Sequence, residues 1–426
     1  MPRRPRPVYY ESWRHAPPNR SPAGRREARA RGDSMKPLAQ RANIMRRSGI
    51  RTLMELALQI PDCIHLEIGD PDFITPAHII EAAFAAARAG ATRYSPTPGL
   101  PSTRAALARK LRERNGLPAT PEQILVTPGA AFGIAAALFA TVDPGDEVLI
   151  PDPGWPNYDG AIKAAGGVPV PYPLVRERGF EPDLAALRAL VTPRTKVLLI
   201  NSPSNPTGGV FAAETVEALV AFAAAHDLYL ISDEVYEEIV FEGEHVPAGR
   251  FDRDGRVIGV YAFSKTYAMT GWRLGYTWAS PEVAATMIKL AEPFVSCAGT
   301  FIQKGGEAAL AGPQDAVATM RAAYQARRDA AAAILGPAGL MASLPRGAFY
   351  MMVDVSAVST DSDAVARQLL EEQHVATAPG TTFGARGAGL LRISLAADQA
   401  AIEEGCRRIV AFVRQHGGVR QPSAVS

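Results

Sequence analysis

The clearest candidate for a reactive side chain is a lysine at the end of a predicted strand. Lys265 follows the apolar run from Val257 to Phe263, in a chain where only seven of the 45 cationic residues are lysine. Desolvation at such a position depresses the pKa of an amine, which can then form a Schiff base, whereas an arginine does not deprotonate. Lys265 is therefore a candidate nucleophile, and an exposed surface cation is the alternative.

Two neighbouring strand ends also carry polar groups. Asp233 closes the predicted strand that begins at Leu228, and an aspartate there needs a cation or hydrogen-bond donors unless it caps a helix. The segment N-S-P-S-N-P-T-G-G, residues 201–209, follows another predicted strand. Its composition predicts a rigid, exposed loop where ligands gather, with an ordinary turn as the alternative.

Two further segments could bind anions. The segment V-T-P-G-A-A-F-G, residues 126–133, runs from a strand through a turn of small residues into a helix. Helix amino termini bind phosphate, although small residues also serve close packing. Arg392 lies within the short apolar strand L-L-R-I-S-L, where a buried guanidinium requires a carboxylate or phosphate partner. A ligand or a structural aspartate could supply that partner.

The elements that position these groups alternate between helix and strand from Thr75 onward. The predicted helices cover residues 76–90, 101–115, 129–141 and 212–226, and the predicted strands cover residues 124–127, 147–150, 196–200, 228–232 and 257–263. Short apolar strands between helices predict a mostly parallel sheet covered on both faces, which is the α/β class. Ligands in such a sheet bind beyond the carboxyl ends of the strands.

Composition and charge divide the chain into four segments. Residues 1–34 are rich in Arg and Pro, carry a local charge of +6 and predict a disordered basic extension. Residues 35–74 are expected to join a small domain, residues 75–300 to form the large domain, and residues 301–426 to form the small carboxyl-terminal domain. This last domain should contain a long helix, strands at 348–355 and 390–395, and a terminal helix to about residue 416.

Several function classes have no support in the sequence. A chain with 47% apolar and 21% charged residues is globular, not disordered. The G-x-G-x-x-G, P-loop, zincin and G-x-S-x-G motifs are absent, and the three cysteines lie far apart, so we expect no metal and a reducing compartment. We find no secretory signal, and Pro128 and Gly129 interrupt the longest uncharged stretch, so we expect no membrane span.

Together, these features resemble a known enzyme family. The segment S-K-T-Y-A-M-T-G-W-R-L-G-Y, residues 264–276, is similar to the cofactor-lysine signature of class I and II aminotransferases of fold type I, the aspartate aminotransferase superfamily. The resemblance covers residues from about 35 to 415, and Asp233 follows Asn205 by 28 residues and precedes Lys265 by 32. It implies pyridoxal 5'-phosphate as cofactor, a large cofactor-binding domain, a smaller α/β domain and a homodimer with shared active sites.

The resemblance implies roles around the cofactor ring. Lys265 should bind the cofactor covalently, and Asp233 should pair with the pyridine nitrogen. Asn205 and Tyr236 should contact the 3-oxygen of the ring, and Trp155, in D-P-G-W-P-N-Y, should stack on the ring face. Lys265, Asp233 and Tyr236 are thus the implied catalytic residues.

The resemblance also implies a phosphate site. The backbone amides of Ala130 and Ala131 should hold the phosphate together with Ser264 and Arg273. Tyr94, in R-Y-S-P-T-P-G-L, should reach the phosphate of the partner subunit. The sequence departs from the signature at Ala262, three residues before the lysine, where Gly or Ser is usual. The resemblance therefore does not imply the hydroxyl contact to the phosphate that a serine at this position would make.

For the substrate, the resemblance implies that Arg392 binds the α-carboxylate with support from the backbone of Gly69, in L-E-I-G-D-P, and that Asn205 and Trp155 contribute. The expected activity is transfer of the amino group of an α-amino acid to a 2-oxo acid such as 2-oxoglutarate or pyruvate, in the cytoplasm.

Two alternatives stay open from the sequence. A pyridoxal-phosphate-dependent lyase of the carbon–sulfur β-lyase type would use the same fold and the same lysine. A DNA-binding regulator that keeps such a domain is disfavoured, because 34 Arg- and Pro-rich residues cannot form a helix-turn-helix and the rest of the chain is acidic. We therefore expect small-molecule substrates and no nucleic-acid partner.

Overall fold

The fold is described from a computed structural model, which covers residues 38–39 and 49–417. The basic extension predicted over residues 1–34 lies outside these described residues. Within them, no helix is both long enough and apolar enough to cross a membrane.

The strands belong to three sheets. In chain order they are β1 Ile64–His65, β2 Ile124–Thr127, β3 Glu147–Asp152, β4 Val168–Val175, β5 Glu181–Pro182, β6 Thr195–Asn201, β7 Tyr229–Asp233, β8 Val257–Ala262, β9 Gly275–Trp278, β10 Tyr350–Asp354, β11 Val375–Ala376, β12 Ala378–Pro379 and β13 Leu390–Ser394.

The α-helices separate and cover these strands. They are α1 Gly49–Ala57, α2 Ala77–Arg88, α3 Pro101–Glu113, α4 Ala130–Thr141, α5 Asn157–Ala164, α6 Leu184–Ala189, α7 Ala213–Ala225, α8 Phe263–Thr266, α9 Pro281–Val295, α10 Thr300–Ala311, α11 Asp315–Leu335, α12 Ser362–Gln373 and α13 Gln399–His416.

The largest sheet has eight strands in the order β2-β9-β8-β7-β6-β3-β4-β5. Strands β8, β7, β6, β3 and β4 are mutually parallel, whereas β9 runs antiparallel to both its neighbours. Apolar residues of α4 and α9 pack in one core with strands of this sheet, and those of α7 pack in another. The predicted α/β class with a mostly parallel sheet is therefore confirmed.

Three strands of this sheet, β4, β5 and β9, were not predicted from the sequence. Strand β4 reads V-P-V-P-Y-P-L-V, and its prolines oppose a strand assignment because proline cannot donate to a ladder. The prolines occupy every second position, so their nitrogens all point to the same side of the strand. Val168, in the alternate set, donates its N–H to Asp146 next to β3, which is the hydrogen-bonded side. The strand therefore tolerates three prolines.

A second region surrounds the three-stranded antiparallel sheet β10-β13-β12. Strand β1 pairs with β11, so residues near the start of the described chain join this carboxyl-terminal region. Leu53 and Leu66 lie in the same buried core as Ile393 and Ile409, which fixes the position of α1 and of the segment after β1. The exact domain boundaries remain a prediction.

The sheet order brings the predicted chemistry to one edge. Strands β6, β7 and β8 are adjacent and parallel, and β6 and β7 end at Asn201 and Asp233. Strand β8 ends at Ala262, one residue earlier than predicted, and the single helical turn α8 then carries Lys265. The amine is thus displayed from a helical turn, directly beyond the carboxyl edge of the sheet.

Candidate active site

A cavity of about 410 Å³ lies at this edge, and every predicted site residue except Tyr94 lines it. The lining includes Gly69, Ala130, Ala131, Trp155, Asn205, Asp233, Tyr236, Ser264, Lys265, Arg273 and Arg392. Tyr94 is 88% exposed and does not line the cavity of its own chain. Residues from strand ends that are distant in sequence therefore meet in one place.

The amine of Lys265 is buried and held by the backbone. Its Nζ donates a hydrogen bond of 2.7 Å to the carbonyl of Gly69 and lies 5.5 Å from the centre of the Phe349 ring. Burial lowers the pKa of Lys265 to about 8, while the charge of Asp70 acts in the opposite direction. A substantial fraction of this amine is unprotonated near pH 8, as a nucleophile requires.

Asp233 is buried beside the cavity without a cation. Its Oδ2 accepts a hydrogen bond of 2.6 Å from the Tyr158 hydroxyl, and its Oδ1 accepts a longer one of 3.4 Å from the N–H of Val235. No Lys, Arg or His nitrogen within residues 38–39 and 49–417 lies within ion-pair distance of it. Burial raises the pKa of Asp233 to about 6, and the Tyr158 hydrogen bond lowers it.

The loop over residues 201–209 differs from its prediction, because all nine residues are buried. The loop is covered by the segment before β10, where Arg346 and Gly347 donate backbone hydrogen bonds to the carbonyl of Gly208. Within the loop, Asn201 donates from Nδ2 to the carbonyl of Asp233 and accepts the N–H of Asn205 at Oδ1. The prediction of an exposed loop was wrong, whereas its position at the ligand edge is correct.

The predicted phosphate site combines a helix terminus with a guanidinium. Helix α4 begins at Ala130 with no side chain bonded to its first N–H groups, and Gly129 precedes it with a φ of 83°. The positive φ favours glycine at this position, and a Cβ atom there would displace the guanidinium of Arg273, whose Nη2 occupies that space. Nη1 of Arg273 donates to the carbonyl of Thr270 at 2.9 Å, which orients the guanidinium.

Arg392 lies opposite, on β13, and is buried without a carboxylate partner. Its Nη1 donates to Oδ1 of Asn205 at 3.0 Å, and its Nη2 donates to the backbone carbonyl of Glu67. The guanidinium lies 4.3 Å from the ring centre of Tyr350 and 4.8 Å from that of Phe383. Its Nε has no hydrogen-bond partner within the described chain, where no structural aspartate pairs with it.

Sequence analysis missed several residues at this site. Asn201 and Tyr158 hold predicted residues in place, and Tyr350 packs on Arg392. Ile50 and Met54 of α1 add an apolar wall to the cavity. Asn201 and Tyr158 had a local signal, because they lie in the segments N-S-P-S-N-P-T-G-G and D-P-G-W-P-N-Y that the sequence analysis singled out. In the structure, the ring of Tyr158 packs edge-on against the Trp155 indole at 5.3 Å.

Comparison with known proteins agrees with this geometry. Residues 61–409 match the family described as "Aminotransferase class I and II". The chain is 39% identical to the aspartate/prephenate aminotransferase of Thermus thermophilus over 88% of its length and 98% of that protein. It is 37% identical to aromatic-amino-acid aminotransferase 2 of Thermococcus litoralis, over 89% of this chain and 98% of the relative.

A solved structure is similar over the same span. The aspartate aminotransferase from Thermus thermophilus with maleate superimposes with a TM-score of 0.85 and 38% sequence identity. The alignment covers 88% of this chain and 100% of that one. The similarity therefore extends over most of this chain and over the whole length of that structure.

Proposed function

The chain belongs to the class I and II aminotransferases, the pyridoxal-phosphate-dependent enzymes of fold type I, and we propose that the cavity at Lys265 is its active site. The enzyme moves the amino group of an α-amino acid to a 2-oxo acid. The relatives reported above are aminotransferases and give no support to the lyase considered from the sequence. The observation that carries the proposal is one cavity that joins a buried amine with a buried carboxylate and a buried guanidinium, neither of which forms an ion pair within residues 38–39 and 49–417.

The residues present fit pyridoxal 5'-phosphate. No cation among the described residues pairs with the carboxylate of Asp233, whose negative charge a protonated pyridine nitrogen would neutralise. Lys265 offers an amine that is partly unprotonated for covalent attachment of the cofactor. Tyr236 and Asn205 would contact the 3-oxygen of the ring, and Trp155 would stack on its face.

The other end of the cavity fits the phosphate group. The first N–H groups of α4, at Ala130 and Ala131, carry the positive end of a twelve-residue helix. Arg273 adds a full positive charge at a position where Gly129 leaves room for it. Ser264, on the turn that also carries Lys265, adds a hydroxyl group.

When bound, pyridoxal phosphate withdraws electrons from the α-carbon of the substrate. The amine of Lys265 would hold and move the proton of the substrate α-carbon; burial lowers its pKa to about 8 in this structure, which suits both acceptance and donation near neutral pH. Asp233 keeps the ring nitrogen protonated. Arg392 binds the α-carboxylate and fixes the direction of the α-hydrogen, since a guanidinium forms two parallel hydrogen bonds with a carboxylate.

A test separates transamination from elimination. Purified holoenzyme is mixed with an amino acid and no acceptor, and 2-oxo acid and ammonia are measured. We expect one 2-oxo acid per site without acceptor, no ammonia, and many turnovers once 2-oxoglutarate or pyruvate is added. Continued turnover with ammonia release and no acceptor would contradict the proposal. A panel of amino acids, beginning with the aspartate and aromatic amino acids named for the relatives, would identify the substrate.

We also propose a homodimer in which Tyr94 serves the phosphate site of the partner subunit, and a cytoplasmic location. Tyr94 is 88% exposed, and hydrogen bonds from Ser95 to Cys297 Sγ and from Thr300 to Arg93 fix its segment against the end of α9. Phe294, three residues before Cys297, is 62% exposed. Large aromatic side chains as exposed as Tyr94 and Phe294 are typical of a surface that another protein covers.

Mixing subunits tests the shared site. Tyr94→Phe removes a charge-assisted hydrogen bond of about 1.5–3 kcal/mol and should weaken cofactor retention and rate. Lys265→Ala subunits are then exchanged with Tyr94→Phe subunits. If Tyr94 serves its neighbour, each mixed dimer has one intact site, and random exchange of equal amounts restores about a quarter of all sites. Activity that stays at the level of Tyr94→Phe alone, after exchange is confirmed by mass, would contradict the shared site.

A further inference from the structure

Tyr350 touches three residues of the site, although sequence analysis assigned it no role. Its hydroxyl lies 3.0 Å from the hydroxyl of Tyr236, and its ring centre lies 4.3 Å from the guanidinium of Arg392. A Cβ atom at Gly69 would collide with the same hydroxyl, so that group packs directly against the residue whose carbonyl binds Lys265. Tyr350 is therefore at the junction of the amine, the guanidinium and the Tyr236 phenol.

The backbone fixes this position from the second region of the molecule. Tyr350 is the first residue of β10, and β10 pairs with β13 such that Met352 lies opposite Arg392. Phe349 packs against Tyr236 edge-on at 5.4 Å, and Tyr324 lies 5.1 Å from Phe349 on the other side. Tyr350 itself is 2% exposed, and its ring centre lies 4.9 Å from that of Phe349 and 5.8 Å from that of Tyr236.

The two phenols must share one hydrogen bond, in which one donates and the other accepts. Burial raises the pKa of both phenols, while the charge of Arg392 lowers the pKa of each; Asp70 raises that of Tyr350, and Asp233 raises that of Tyr236. A phenol has one O–H to donate. If Tyr236 donates its proton to the 3-oxygen of the cofactor, as proposed above, its oxygen can only accept here, so Tyr350 is the donor of the pair.

We propose that Tyr350 is a positioning residue, which donates its hydroxyl proton to Tyr236 and so directs the Tyr236 proton toward the 3-oxygen of the cofactor. The inference rests on the proposed function, in which Tyr236 contacts that oxygen. A phenol that accepts a hydrogen bond becomes a stronger donor, and the bond that it donates is strengthened by about a tenth to a third. Tyr350 therefore acts on the cofactor only through Tyr236.

The bound cofactor reports this effect through its visible absorbance. A donor at the 3-oxygen stabilises the anionic form, so it lowers the pH midpoint at which the bound chromophore loses its proton. Tyr236→Phe removes a hydrogen bond to a charged group, and the midpoint should rise by about one to two pH units. Tyr350→Phe keeps the ring on Arg392 and removes only the hydroxyl, so the midpoint should rise by about 0.3 pH unit.

The decisive measurement is Tyr350→Phe in a Tyr236→Phe background. The shift should vanish there, because the path through Tyr236 no longer exists. An equal shift of the absorbance midpoint by Tyr350→Phe in the wild-type and Tyr236→Phe backgrounds would overturn the inference. It would also be overturned if Tyr236→Phe shifts the midpoint and Tyr350→Phe does not. Both outcomes would leave the proposed function intact. No shift in Tyr236→Phe would overturn the assignment of Tyr236 in the proposed function, and the inference with it.

A matched control excludes a general effect of losing a buried hydroxyl. Tyr324 packs in the same aromatic cluster, and its hydroxyl has no hydrogen-bond partner within residues 38–39 and 49–417. Tyr324→Phe should leave the absorbance midpoint unchanged. A shift in this control as large as that of Tyr350→Phe would overturn the proposal. The KM for the amino acid should change less than twofold in Tyr350→Phe, since the ring on Arg392 is retained; a tenfold rise would contradict a role through Tyr236 alone.

Discussion

The two ends of the active site are built differently. The amine end consists of Asn201, Asp233 and Lys265, which follow three adjacent parallel strands. The guanidinium end consists of Arg392 with the Glu67 carbonyl and the rings of Tyr350 and Phe383, which come from separate segments of the second region. One end is therefore a property of a sheet edge, and the other depends on how distant segments pack.

The ends also differ in the sign of the charge that they leave without an ion pair. Asp233 is a buried carboxylate with no cation, and Arg392 is a buried guanidinium with no carboxylate, within the residues that the structure describes. An uncompensated buried charge costs folding free energy. A protonated pyridine nitrogen and a substrate carboxylate would each neutralise one of these charges. The uncompensated charges of the apoenzyme therefore favour binding of both ligands.

Loss of Lys265 should have the largest effect. Lys265→Ala removes both the covalent link and the group that moves the proton, so we expect turnover to fall by at least about 10⁴-fold and no covalent cofactor. Borohydride reduction followed by peptide mapping checks the assignment in the wild-type protein. Lys289→Ala, at an exposed position of α9, is the matched control and should keep full activity. Label on Lys289 or Lys304 would refute the role of Lys265.

Asp233→Asn should lower kcat by about 10²- to 10³-fold, because a neutral amide cannot keep the ring nitrogen protonated. The same substitution should stabilise the apoenzyme at neutral pH, although it lowers the rate of the holoenzyme. The raised pKa of Asp233, about 6, means that its contribution to stability is present at low pH and is lost as pH rises from about 4 to 6. At pH 7.5, apo Asp233→Asn should therefore be more stable than the wild-type apoenzyme, by about 1–3 kcal/mol. Equal melting temperatures of the two apoproteins at pH 5 and pH 7.5 would argue against an uncompensated carboxylate.

A change at the guanidinium end should affect substrate and spare the cofactor. Arg392→Lys keeps a positive charge but loses the planar pair of donors, so kcat/KM should fall by about 30- to 100-fold. Cofactor affinity should change less than about threefold, since Asp233, Lys265 and the phosphate site are untouched and Asn205, which accepts a hydrogen bond from Arg392, is the one proposed cofactor contact that the change reaches. The two constants are measured separately, by steady-state kinetics and by titration of the apoenzyme. Parallel losses in both constants would mean that the two ends are not independent.

The difference between the ends explains which residues the sequence could predict. Asp233, Lys265 and the 201–209 segment each follow a short apolar run, and the rule that parallel strands end at one edge brings them together. Arg392 was recognised as a charge within an apolar strand. Its partners could not be found in this way, because a backbone carbonyl of Glu67 and the ring faces of Tyr350 and Phe383 leave no pattern in sequence. Strand β4 could not be predicted, because its three prolines lack the N–H that a strand residue normally donates and therefore argue against a strand.

The smallest predicted effect concerns Tyr158, which supports Asp233 from outside the sheet. Its hydroxyl donates a 2.6 Å hydrogen bond to Oδ2 of Asp233, and its ring packs against Trp155. In the wild type, the hydrogen bond from Tyr158 lowers the pKa of Asp233. Tyr158→Phe keeps the ring and removes this donor, so the pKa of Asp233 should rise above its wild-type value of about 6. The carboxylate is then a weaker partner for the ring nitrogen at neutral pH. We expect kcat to fall about 5- to 10-fold, corresponding to about 1–1.4 kcal/mol, with KM unchanged.

The pH dependence separates this effect from a loss of packing. The acidic limb of the kcat profile should move to higher pH in Tyr158→Phe. The higher pKa of Asp233 in this variant means that the carboxylate is protonated at a higher pH and loses the charge that the ring nitrogen needs. Tyr172→Phe is the matched control, because Tyr172 is also a fully buried phenol but donates to the neutral backbone carbonyl of Leu199. It should lower the melting temperature without moving the acidic limb. If both variants lose stability and neither moves the limb, Tyr158 only packs, and the amine end depends on its strands alone to hold Asp233 ionised.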